Sequence, residues 1–124
     1  MIPVKAHPDV FMWALGEARR VSPLIADMTS PIVRDDTDTT TYYLTLDVNS
    51  GYGIREDGEL VHLFSTIKGR GKELVHAAIW DGANHLNCFD GYLVRFYEGF
   101  GFTETRREPN WIAGGPDVVW MERA

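Results

Sequence analysis

A change of hydrophobic period around one basic, glycine-rich turn constrains this chain more than any other feature. Leu60–Ser65 is an apolar, strand-like run, Thr66-Ile67-Lys68-Gly69-Arg70-Gly71-Lys72 follows it, and Leu74, Val75, Ala78, Ile79 and Ala83 then recur at helical spacing through residues 72–83. A strand, a tight turn and a helix in that order point to a layered α/β architecture, in which the helix packs back on the sheet. Such a turn presents backbone N–H groups and the positive end of a helix, which together suit an anion. Lys68, Arg70 and Lys72 add local positive charge, although the chain carries 12 Lys and Arg against 18 Asp and Glu, for a net charge of −6. That balance argues against a general nucleic-acid binder and against an anionic-membrane binder.

Two common phosphate motifs do not fit the turn. Glu73 follows Gly71-Lys72 where a Walker A loop needs Ser or Thr, and Thr66 stands where its first Gly belongs. Leu74 occupies the third Gly position of a dinucleotide fingerprint.

The rest of the chain reads as alternating short elements within one domain, residues 1–124, built on a single core. Residues 2–6 suit a first strand. Pro8 and Asp9 suit the first turn of a helix whose face is Val10, Phe11, Ala14, Leu15 and Ala18, closed by Arg19 and Arg20. Pro23, Pro31 and the acidic, Thr-rich residues 34–41 read as a loop over residues 21–40. Tyr42, Leu44, Leu46 and Val48 alternate with Tyr43, Thr45 and Asp47, the period of a strand, and Asn49-Ser50-Gly51 is a turn. Asp57-Gly58 marks a tight hairpin between residues 52–55 and Leu60–Ser65. Residues 86–89 form a short buried strand, after which Asp90 is placed to cap a helix with Tyr92, Leu93, Phe96, Tyr97 and Phe100 on one face and Gly99 at its end. Residues 102–107 and 118–122 close the pattern as two strands, joined through Gly114, Gly115 and Pro116. The expected class is mixed α/β, with a mostly antiparallel central sheet and helices on both faces.

The stretch Arg95-Phe96-Tyr97-Glu98-Gly99-Phe100-Gly101-Phe102 follows the basic turn by about two dozen residues. In this order the two pieces resemble the GCN5-related N-acetyltransferase family. Its pyrophosphate signature is Gln or Arg, two residues, Gly, one residue, then Gly or Ala. Thr66, Gly69 and Gly71 fall in that register, with Thr66 replacing the usual first residue. The family's later Phe-Tyr, two-residue, Leu-Gly-Phe pattern is matched by Phe96, Tyr97, Phe100, Gly101 and Phe102, with Phe100 in place of Leu. The resemblance spans roughly residues 40 to 124.

The resemblance implies acetyl-CoA as co-substrate, an amine acceptor and direct transfer with no covalent enzyme intermediate. It assigns the cofactor's pyrophosphate arm to Phe64, Ser65, Thr66, Ile67, Lys68, Gly69, Arg70, Gly71 and Lys72, and adds Asp90, which replaces an Asn common in the family. Tyr97 becomes the general acid near the departing sulfur, since a phenol of pKa about 10 can hydrogen-bond or protonate it. By its residues alone Tyr97 reads instead as a core aromatic with its hydroxyl satisfied at the sheet edge. A base for the acceptor ammonium is sought among Asp47, Glu56, Glu59 and His62, with Glu59 and His62 on or beside the strand where the family often carries one. Asp35, Asp36 and Asp38 could attract a cationic acceptor, or simply form a solvated loop. The family usually places a second helix within residues 21–40, and none is expected here.

No metal is expected: His85 and Cys88 have a compatible spacing but lack further ligands. The single Cys88 excludes an internal disulfide and suits a reducing compartment. There is no run of about 20 apolar residues, and the start lacks a signal-peptide core, so a cytoplasmic protein is expected. The four Trp residues are dispersed and form no stacking platform for nucleic acid. The last strands could pair between copies as a homodimer. The alternative to an enzyme is a catalytically silent protein of the same fold with a structural or interaction role, and the chain is short for the family, as phage-encoded members can be.

Overall fold

The computed structural model describes residues 1–29 and 37–124, so Pro31, Arg34, Asp35 and Asp36 of the expected loop lie outside the described residues. These residues gather into two compact units, Met1–Ala83 and Asn84–Ala124.

The first unit contains β1 (Val4–Ala6), α1 (Pro8–Val21), α2 (Pro23–Met28), β2 (Thr40–Leu44), β3 (Ser50–Arg55), β4 (Leu60–Ser65) and α3 (Gly71–Trp80). Helix α1 begins where His7 Nδ1 accepts the Asp9 N–H at 3.1 Å and Pro8 presets the first turn. Phe11, Ala14, Leu15 and Ala18 are buried as expected, whereas Val10, at the edge of the stripe, is 47% exposed. The expected loop after α1 contains a six-residue helix instead. Pro23, read as a breaker, occupies the first helical position, and Ser22 Oγ caps the Ile25 N–H at 3.3 Å. With only Ile25 buried, α2 has no periodicity to betray it. Arg19 fastens the pair by donating to Ala26 O at 3.1 Å, Thr29 Oγ1 at 2.9 Å and Thr29 O.

Strands β1 to β4 form an antiparallel sheet in sequence order. Strand β2 stops at Leu44, four residues before the alternation does. Asp47 is the reason: its Oδ1 accepts from Thr45 Oγ1 at 2.6 Å and from Asn49 N–H at 3.1 Å, a local side-chain turn that outcompetes the ladder. Val48 accordingly adopts φ 57°, and Leu46 is 80% exposed.

The core on the α1 side is aromatic. Phe11 stacks on Tyr42 with centroids 4.7 Å apart and meets Phe64 edge-on at 5.7 Å. Gly51 and Gly53 leave β3 bare beneath these rings: a Cβ at Gly53 would lie 3.1 Å from Tyr42, and one at Gly51 3.1 Å from Phe11 and 2.3 Å from Tyr43 O. On the other face, Tyr52 packs beside its cross-strand partner Tyr43 and donates its hydroxyl to Asp81 at 2.7 Å, just past α3, whose Leu74, Val75 and Ala78 are buried. Between Gly51 and Gly53 the β3–β4 register shifts, so that Gly51 opposes Phe64 and Gly53 opposes Val61. The extra residue on β4 is a bulge at His62 and Leu63, with His62 at φ 55°. It turns Phe64 to the α1 side with Phe11, while Leu60, opposite Ile54, stays on the Tyr52 side.

The second unit holds β5 (His85–Phe89), α4 (Tyr92–Glu98), β6 (Phe102–Glu108) and β7 (Val118–Arg123), with an antiparallel sheet in the order β5-β7-β6. Its buried side chains include Leu86, Tyr97, Phe102, Val118, Val119 and Met121. Gly91, at φ 129°, caps α4, so Asp90 is not the cap the sequence suggests. Tyr92, expected on the buried face, is 76% exposed because the helix is only seven residues long and buries little besides Tyr97. The mixed α/β class stands. The strands divide between two antiparallel sheets, and the first of these carries helices on both faces.

Replacing Gly51 by Ala should cost about 1–3 kcal/mol, because backbone as well as ring must move. Gly16→Ala, on α1 with nothing within 4 Å of the new methyl, should instead stabilise by about 0.5–1 kcal/mol. Denaturant midpoints of the two variants check both signs.

Candidate functional site

The basic turn is held at its start. Thr66 donates its N–H to Asn49 O at 2.8 Å and its hydroxyl to the same oxygen at 3.2 Å. Ser65 Oγ lies 2.9 Å from Ser50 Oγ, accepts the Ile67 N–H at 3.1 Å and contacts Ile67 O at 2.7 Å. Gly69 then takes φ 90°, a left-handed conformation that favours glycine, and reverses the chain into α3. Arg70 is the N-cap residue, and its side chain makes no capping bond. The first helical bond runs from Leu74 N–H to Arg70 O at 3.0 Å, which leaves the leading amides of α3 without a side-chain cap. These donors, with the helix dipole and the exposed Lys68 and Lys72, fit a phosphate.

Arg70 is differently employed. It forms a two-pronged pair with Asp47, with Nη1 at 3.1 Å from Oδ1 and Nη2 at 2.7 Å from Oδ2, and Nη1 also donates to Ser50 Oγ at 3.1 Å. The Arg70 hydrogen bond, with the Thr45 hydroxyl, holds the Asp47 carboxyl well below its ordinary range, and Asp47 in turn raises Arg70. Phe64 is 4% exposed and packs on Phe11, so only its backbone remains for a ligand. Glu59 Oε1 lies 3.4 Å from Arg55 Nε. His62 is half-buried in the bulge, and Glu56 is exposed at the hairpin tip.

Tyr97 is 6% exposed, with its ring edge-on to Phe96 at 5.3 Å and Phe102 at 5.9 Å. Burial, and secondarily Cys88, push its phenol well above the ordinary value, so it keeps its proton at neutral pH. Asp90 faces Arg107, with Oδ2 at 2.7 Å from Nη1, and its Oδ1 accepts the Gly91 N–H at 3.0 Å. Arg107 also bonds Glu104 at 2.8 Å and reaches Asp117 at 3.4 Å. Its guanidinium lowers both the Asp90 and the Glu104 carboxyls. Burial raises the Cys88 thiol to about 11. Among the described residues there is no group of three or more His, Cys, Asp and Glu that could hold a metal, and no helix long and apolar enough to cross a membrane.

Two features of the turn escape a reading by motif. The Asp47 partner of Arg70 lies 23 residues upstream, although the Thr45-x-Asp47-x-Asn49 spacing announces its local turn. The bulge at His62 has no sequence signal, since Leu60, His62 and Phe64 alternate like an unbroken strand. Asp47 also sets a pH expectation. Its folded pKa lies below the unfolded one, so its contribution is complete above the unfolded value of 3.8 and is lost as pH falls below it. Asp47→Asn should therefore be less stable than the parent at neutral pH. The gap should close as pH drops below about 4, as read from denaturant midpoints against pH.

No family model matches the chain, and no curated protein matches it in sequence. Among solved structures it is similar to a putative N-acetyltransferase from Lactobacillus plantarum, with 18% identity and a TM-score of 0.63 over 97% of this chain and 95% of that one. It also aligns with a putative acetyltransferase from Agrobacterium tumefaciens, with 16% identity and a TM-score of 0.43 over 87% of this chain and 90% of that one. The likeness to the Lactobacillus protein shows the architecture: this chain shares the mixed α/β fold of that putative N-acetyltransferase.

Proposed function

We propose that the chain is an N-acetyltransferase that moves an acetyl group from acetyl-CoA to an amine by direct transfer. The uncapped start of α3 behind Gly69 carries this reading, because it is a run of backbone donors with no side-chain capping bond, flanked by two exposed lysines and with Glu73 as the acidic residue of its first turn. The pyrophosphate of CoA would accept from amides of residues 69–72, with Lys68 and Lys72 supplying charge. Thr66 does not preclude this, since its own groups bond Asn49 and the donors lie beyond it.

Transfer forms a C–N bond, breaks the thioester C–S bond and leaves a thiolate, while the acceptor ammonium gives up a proton. An ordinary thiol has a pKa of about 8.5, so a phenol raised above 10 is a weaker acid than the thiol it would serve. The role of Tyr97 is therefore to donate a hydrogen bond to the departing sulfur as charge develops, with full protonation coming later from solvent. The base is sought at His62, half-buried in the bulge, or at Glu59, whose Oε1 forms an ion pair with Arg55 Nε at 3.4 Å. That ion pair also favours a second reading, the same fold without chemistry.

Acetyl-CoA at about 100 times its Kd should stabilise the protein by about 2.7 kcal/mol, seen as a rise in Tm that adenosine diphosphate at equal concentration reproduces only in part. Tyr97→Phe should leave that rise intact and lower kcat by about 10²-fold or more, with thiol release as the assay. Absence of any acetyl-CoA-dependent rise supports the silent fold, and unchanged turnover in Tyr97→Phe removes its role.

A further inference from the structure

We infer that Asp47 and Arg70 are positioning residues for the glycine-rich turn, so that the contribution of Arg70 is its ion pair rather than a charge offered to phosphate. For its ligand the inference rests on the function proposed above; for the geometry it stands on the hydrogen bonds alone.

Arg70 is the one side chain between Gly69 and Gly71, the two positions of the turn with the greatest backbone freedom. Ordering such a segment costs more entropy than ordering any other, and an anchored side chain at its centre offsets that cost. The anchor is well built. Asp47 Oδ1 accepts from Thr45 Oγ1, Asn49 N–H and Arg70 Nη1, and Oδ2 accepts from Nη2. Thr45 and Ser50 are almost fully buried, at 1% and 0% exposure, so the clasp is fixed to the sheet and not to a mobile surface group. Ser50 Oγ passes the contact to Ser65 Oγ, which bonds the Ile67 backbone, and Thr66 returns to Asn49. The β2–β3 connection and the turn therefore hold each other at both ends. A guanidinium engaged on both prongs, in a fork matched to carboxylate, is poorly replaced by an ammonium.

The electrostatic and geometric effects of Asp47 have opposite signs. By charge alone, a carboxylate beside the turn repels a phosphate, and its removal would tighten binding. By geometry, its removal loosens the amides and weakens binding.

The experiment compares wild type, Asp47→Asn and Arg70→Lys by amide hydrogen exchange without ligand and by equilibrium binding of CoA. Exchange at Thr66, whose N–H ties the turn to Asn49 O, and at Leu74, whose N–H makes the first helical bond to Arg70 O, should accelerate about tenfold in both variants, while Leu86 and Met121 amides of the other sheet stay unchanged as the check on folding. CoA should bind Asp47→Asn about 3- to 10-fold more weakly despite the lost negative charge, and Arg70→Lys should weaken similarly although its charge is kept. Unchanged exchange at Thr66 and Leu74, or tighter CoA binding by Asp47→Asn, overturns the inference. Wild type that fails to bind CoA overturns the proposed function, and the exchange rates still decide the clasp.

Discussion

Contact of aromatic rings with bare backbone is the constraint on which the first unit depends. Phe11 and Tyr42 lie where Gly51 and Gly53 expose β3, and a side chain at either position would meet ring or carbonyl. The rings join α1 to the sheet, and the same strand carries Tyr52 to the opposite face, where Asp81 holds its hydroxyl. β3 thus serves both layers by alternating glycine with a large side chain, the period of two put to two different uses.

The bulge on β4 solves a problem this arrangement creates. Phe64 must reach Phe11, while Leu60 must stay with Ile54, and four residues of regular strand would place both on one face. One extra residue at His62 and Leu63 changes the parity. The irregularity sits just before the strand delivers the chain to the basic turn. The stretch that binds the hydrophobic layers is therefore continuous with the stretch that leads into the uncapped start of α3.

Polar groups then take over where the hydrophobic layers end. Asp47 terminates β2, pairs with Arg70 and so ties a strand end to the start of a helix. In the second unit Arg107 plays a comparable part among Asp90, Glu104 and Asp117. The Tyr97 ring packs edge-on against Phe96 and Phe102.

Where periodicity and turn chemistry are local, the sequence was enough. The helix on Phe11, Ala14, Leu15 and Ala18, the Asp57-Gly58 hairpin, the strand–turn–helix at the basic loop and the aromatic end of α4 all follow from neighbours a few residues apart. The motif residues of the candidate site were legible for the same reason. Helix α2 was not, because Pro23 and Ser22 signal a helix start and a break alike, and one buried residue cannot decide between them. Nor was the end of β2, where one carboxylate outweighed four residues of alternation. Sequence by itself determined the types of the elements other than α2 and the chemistry available at the turn, since both reside in short windows of chain. Only the tertiary structure decided which face Phe64 takes, that Arg70 answers to Asp47, and that Asp90 answers to Arg107, because each depends on a partner brought near by strand register and not by sequence spacing.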